Sequence, residues 1–157
     1  MSVYRKAVLL PRLNHPQIGN AFERKAKRHL ERAGIEVERN YTMELGIGTR
    51  TKAHRFDLGS ANPKVLIECK SHTWTSAGNL PNAKLTVWNE AMYYFALAPL
   101  EYRKIFFVLQ DFRKRGEQWG ESLAGYYLRK FVHLIPPGVE LWEYSEASDS
   151  VHVLLAG

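Results

Sequence analysis

Apolar side chains at Phe22, Ala26, Leu30 and Ala33 recur at the helical period and predict a helix over 17–33. Asn14 with Gln17 three residues on reads as a capping pair, and Gly34 stands where such a helix would stop. The opposite face carries Arg24, Lys25, Lys27, Arg28 and Arg32. The period then changes to two. Ile35, Val37 and Tyr41 alternate with Glu36, Glu38 and Asn40, which predicts a half-buried strand. Gly46 to Lys52 reads as a flexible basic loop, His54 to Leu58 as a short strand, and Gly59 to Pro63 as a turn. Val65 to Lys70 is a third strand, and its Val-Leu-Ile run suits a central place in a sheet.

Pro81 opens a second helix to about Ala98, with Leu85, Trp88, Met92 and Phe95 as its buried stripe and Pro99 beyond its end. Lys104 to Gln110 is a continuous apolar strand. Arg113 to Gly116 reads as a basic loop. Residues 121–134 form a third predicted helix, with Leu123, Tyr127, Phe131 and Leu134 inward and Pro136-Pro137-Gly138 stopping it. Val139 to Tyr144 and Val151 to Leu155 complete the pattern as strands. The order α-β-β-β-α-β-α-β-β predicts an α/β fold, a mixed sheet flanked by helices. No repeat or long linker divides it, so 157 residues make one domain.

Composition narrows the class. Apolar residues make up 45% and charged residues 24%, values of a globular chain that can bury a core. No run approaches the ~18 apolar residues of a membrane helix. Ala7 to Leu10 is too short for a secretory core of about 7–15 residues. The single cysteine, Cys69, excludes an internal disulfide and a Cys-based zinc site, and a reducing cytoplasm fits it best. Net charge is +6, unevenly spread: the first 120 residues hold +9 and the rest −3. A basic body of this kind suits a polyanionic partner, nucleic acid first.

The chemistry concentrates at His54-Arg55-Phe56-Asp57-Leu58 and Ile67-Glu68-Cys69-Lys70. Alternate side chains of a strand share a face, so Glu68 and Lys70 point one way and Cys69 the other. An acid and a lysine inside an apolar strand are costly unless paired or functional. If Asp57 lies on a neighbouring strand, two carboxylates meet, a set that suits Mg²⁺. The plainer alternatives are a Glu68–Lys70 salt bridge on an exposed face and Asp57 as a turn residue before Gly59.

An Asp followed by Glu-x-Lys on the next strand, within an αβββαβ order, resembles the PD-(D/E)XK nuclease superfamily. That group includes restriction endonucleases, Holliday-junction resolvases and phage or repair nucleases. The likeness covers about residues 17–110 and leaves 111–157, a helix and two strands, as an extension. Phe56 stands where the name-giving pattern has proline. The resemblance implies a restriction endonuclease-like core and a Mg²⁺-dependent DNA endonuclease, with Mn²⁺ as a substitute, that leaves a 5′-phosphate. Asp57 and Glu68 would be metal ligands together with the backbone carbonyl of Cys69, and Lys70 the catalytic lysine. Glu23 is the counterpart of an acid that many members carry on the first helix; its alternative is a solvated helix residue. Restriction-type members act as homodimers. A junction resolvase fits the size and charge equally well, and the non-catalytic alternative is a DNA-binding module with a nuclease fold.

Lys25, Lys27, Arg28, Arg50, Lys52, Arg113, Lys114 and Arg115 are candidate phosphate contacts. Beyond the third strand, His72 keeps the alternation of Glu68 and Lys70 and is a candidate contact, as are Trp74 and Lys84. Each has a structural alternative: a surface histidine, a core tryptophan, a solvated lysine. No GxxxxGK exists, so no nucleotide cofactor is expected, and the six histidines lack zinc spacing.

Overall fold

The computed structural model of the protein describes residues 11–157; the short apolar run at Ala7 to Leu10 lies outside them. Helix α1 spans His15–Arg32. Asn14 and Gln17 form the expected reciprocal cap: Gln17 N donates to Asn14 Oδ1 at 3.0 Å, and Asn14 N to Gln17 Oε1 at 2.8 Å. Phe22, Ala26 and Leu30 are its buried face. Gly34, at φ +78°, takes the left-handed turn that releases the chain.

Strands β1 (Glu38–Ile47), β2 (Arg50–Ala61) and β3 (Lys64–Lys70) form an antiparallel meander. Helix α2 (Asn82–Leu97) crosses to β4 (Arg103–Leu109), parallel to β3. A small hairpin, β5 (Phe112–Arg115) and β6 (Gln118–Ser122), leads into α3 (Leu123–Phe131) and a 3₁₀ turn at Val132–Leu134. Strand β7 (Val139–Ser145) joins β4 in parallel, and β8 (Ser150–Leu155) returns antiparallel to it. The result is an α/β fold with a mixed six-stranded sheet in the order β1-β2-β3-β4-β7-β8.

Helix α1 covers one face of the sheet; α2 and α3 cover the other. Val65, Ile67 and Cys69 of β3, with Ile105 and Phe107 of β4, pack against α1. Leu66, Phe106 and Val108 pack against Trp88, Phe95 and Tyr127 of the other layer. Both faces of β3 and β4 are therefore apolar, which is why their sequences read as continuous runs. No helix among the described residues is long and apolar enough to cross a membrane.

Several expected loops are ladders instead. Gly46 to Lys52 is the end of the β1–β2 hairpin, closed by Gly48-Thr49 with Ile47 paired to Arg50. Alternation was invisible there because the row facing α2 mixes Leu45 and Ile47 with Arg50 and Lys52. Glycine is required at 46, where a Cβ would fall 1.9 Å from the Arg50 carbonyl. Gly59, Ser60 and Ala61 belong to β2, and the turn is Asn62-Pro63 alone. Gly59 lies under the Tyr41 ring, which a Cβ would meet at 2.6 Å. Arg113 to Arg115 form a strand rather than a loop. The third helix is shorter than expected, and Leu134 is exposed beyond it.

Strand β1 carries a further correction. Ile35 and Val37 precede the strand and pack under α1, whereas Tyr41 lies on the α2 side. Their common face is lost because Asn40 adopts φ +58° between them.

Candidate functional site

Strands β1 and β2 change faces at one level. Val37 and Leu58 belong to the α1 layer, while Tyr41 and Phe56 belong to the α2 layer. Asn40 and Asp57 stand at the crossover, between the paired residues Arg39↔Leu58 and Tyr41↔Phe56. Pairing of β2 with β3 stops at the same level, with Leu58↔Ile67 its last rung. The two strands fork there. Asp57 takes neither face: it reaches across the fork, and its Oδ2 accepts the Cys69 backbone N–H at 2.7 Å. A side chain thus replaces the missing rung of the ladder.

Glu68 is the first β3 residue above the last rung, and it is only 5% exposed. Lys70 Nζ donates to its Oε2 at 3.4 Å. His54 Nε2 donates to its Oε1 at 3.0 Å. The His54 ring stacks on Tyr94 of α2 at 3.6 Å between centroids and meets Phe56 edge-on. His54 was not expected as a site residue; its one signal in the sequence is that it shares strand parity with Phe56, three positions before Asp57.

Asp57, Glu68 and Lys70 thus meet in one fork. Asp57 is pushed up from 3.8 to about 7, first by burial and then by the Glu68 carboxylate, against the opposing pull of the Cys69 N–H and Lys70. Glu23, on α1, adds a weaker push. It is held by Arg39, whose Nη2 donates to its Oε2 at 2.6 Å. The Cys69 thiol points into the α1 layer, and burial pushes it well above its ordinary range, so it stays protonated and unreactive. The N–H and C=O of one strand residue share an edge, so the Cys69 carbonyl opens toward the fork along with its N–H.

The donor set is two carboxylates and one carbonyl, all hard oxygens. Among the described residues no group of three or more His, Cys, Asp and Glu side chains is gathered for a metal. Two carboxylates that repel each other nonetheless fit a small divalent cation of the Mg²⁺ kind, which is commonly held by one or two carboxylates and water.

The other candidates divide. His72 accepts Trp88 Nε1–H at its Nδ1, 2.8 Å away, so its Nε2 carries the proton. Burial, then Lys84 and Lys70, pull its pKa down to about 4. It can donate to a phosphate as a neutral group, not as a cation. Lys84 is exposed at the start of α2, near Lys70 and His72. Trp74 takes the core alternative and not the base-stacking one. It is 5% exposed, packed edge-on to Tyr126 and covered by the Arg113 guanidinium at 4.8 Å. Arg113 and Arg115 both donate to the Gly78 carbonyl, fastening β5–β6 to the 74–79 loop, and Lys114 lies over Trp119. Lys25 is paired with Glu146 at 2.8 Å, and Lys27 with Glu31 and the Val37 carbonyl. Arg28 is exposed on α1, and Arg50 and Lys52 lie on the β1–β2 hairpin.

Comparison of the chain with protein-family models, with curated proteins and with solved structures finds no match.

Proposed function

We propose that this protein is a Mg²⁺-dependent DNA endonuclease with a restriction endonuclease-like core of the PD-(D/E)XK kind. The observation that carries the reading is the fork: Asp57 bridging to the Cys69 N–H, with Glu68 and Lys70 beside it on the next strand. A binding scaffold gains nothing from two carboxylates beside phosphate, which they repel. Asp57, Glu68 and the Cys69 carbonyl would hold the ion. When bound, it would supply positive charge against the scissile phosphate and make water more acidic there.

Lys70 has the role of a positioned donor. Its ammonium can hold the attacking water and offset charge that grows on the phosphoryl oxygens. Water oxygen bonds to phosphorus, the bond to the 3′ oxygen breaks, and the 3′ oxygen ends protonated, leaving a 5′-phosphate. His54 keeps Glu68 turned toward the fork.

Incubation with supercoiled plasmid tests the reading. The parent should nick it with Mg²⁺ and leave it intact with chelator. Lys70→Ala should stop cleavage while DNA affinity stays within a fewfold, because one charge is a small part of a multi-phosphate footprint. Comparable cutting by the variant would remove Lys70 from the chemistry. Binding without cutting by the parent would favour a non-catalytic DNA-binding module.

A further inference from the structure

A groove of about 620 Å³ runs between the β1–β2 hairpin and α2. Its floor is the row of the hairpin that faces α2: Ile47, Arg50, Lys52 and His54. Its wall is Tyr93 and Tyr94. His54 also lines the groove and is hydrogen-bonded to Glu68 at 3.0 Å, which links the groove to the carboxylate fork through one side chain.

Three features of the lining name an occupant. The lining holds three cations, Arg50, Lys52 and Arg55, and one acid, Glu90, and among the described residues none of these three cations has an ion-pair partner. That is unlike Lys25 and Lys27 on α1. Tyr93 is 55% exposed and Ile47 54% exposed, large apolar groups that the chain itself leaves uncovered. Free cations spaced along a strand, opposite an exposed aromatic ring, match a polyanion with planar faces. A duplex hides its base faces within the stack. An unpaired strand offers them, and it combines backbone charge with stacking in the way such a lining can use.

We infer that this groove holds a single unpaired nucleic-acid strand, with phosphates on Arg50 and Lys52 and a base on Tyr93, and delivers it to the fork. The inference rests on the nuclease reading only for what happens at the fork, and it narrows the substrate class to DNA with an unpaired segment. Glu90 sets its limit, since a phosphate must pass on the hairpin side of the groove.

Binding of a short fluorescein-labelled oligothymidine, followed by anisotropy in chelator, tests the groove without any cleavage. Tyr93→Ala should weaken binding at least about fivefold, the cost of removing one base–aromatic stack. The same variant should leave affinity for a blunt duplex unchanged. Arg50→Ala with Lys52→Ala should lower the log–log salt slope by about 0.7 for each phosphate no longer neutralised. All three side chains are exposed, and melting curves like the parent's would show that the variants fold. Oligothymidine affinity and slope that neither variant moves would overturn the inference. So would a dimer in sedimentation that Tyr93→Ala dissociates, since a second copy would then be the occupant. Groove-dependent strand binding without plasmid nicking would sink the nuclease reading alone. Nicking without groove-dependent binding would sink this one alone.

Discussion

A carboxyl group held among other carboxylates keeps its proton until a cation arrives. Asp57 is such a group, raised to about 7 by burial and Glu68. The sign of its effect on stability follows. The unfolded chain loses this proton near 3.8 and the folded one near 7, so the contribution is fully present below the lower value. It is lost as pH rises through the window between them. Thermal melts should show Asp57→Asn gaining stability over the parent as pH rises to about 8, with the gain absent at about pH 3.5. Mg²⁺ should raise the parent's Tm at about pH 8 by mass action, and Asp57→Asn with Glu68→Gln should abolish that rise. An Asp57→Asn advantage that does not change with pH would show that the carboxyl titrates normally.

The fork is built by an irregularity that two elements share. Regular alternation would send Phe56 and Leu58 to one face and Asp57 to the other. The crossover at Asn40 and Asp57 breaks that alternation in both strands at once and turns Asp57 edge-on to β3. The positive φ of Asn40 is the backbone half of the device. Asparagine tolerates that region, glycine more so, and a β-branched side chain least. Asn40→Val should therefore destabilise the fold by about 1–2 kcal/mol in urea titration. Asn40→Gly should stay within about 0.5 kcal/mol of the parent. Similar destabilisation by both would mean that the Asn40 side chain, not the backbone, holds the crossover.

Across the whole molecule the charge asymmetry of the chain resolves into ion pairs. The acidic tail folds back on the basic helix: Glu146 meets Lys25, and Asp149 meets His29 and Arg32. Exposed pairs of this kind contribute about 0–1 kcal/mol each, yet they lower the free positive charge on α1. The triple variant Lys25→Ala, Lys27→Ala, Arg28→Ala should thus change the salt slope of duplex binding by less than about 0.9, the value of one neutralised phosphate. A larger drop would place the duplex on α1 despite the pairs.

The layers were legible from the chain alone. The period of Phe22, Ala26 and Leu30, the cap at Asn14 and the apolar runs of β3 and β4 are local or two-faced signals that need no partner to be read. The sequence also singled out Asp57, Glu68 and Lys70 as candidates, because charge inside an apolar strand is costly enough to stand out. The tertiary structure decided the rest. The β1–β2 hairpin escaped the pattern because its α2-facing row is half charged. His54 became a site residue only when β2 was laid beside β3, since a hydrogen bond across fourteen residues has no local period. Trp74 and Lys25, candidate contacts in the sequence, are engaged within the chain for the same reason: Arg113 and Glu146 reach them from distant parts of the chain, and only packing brings such partners within range.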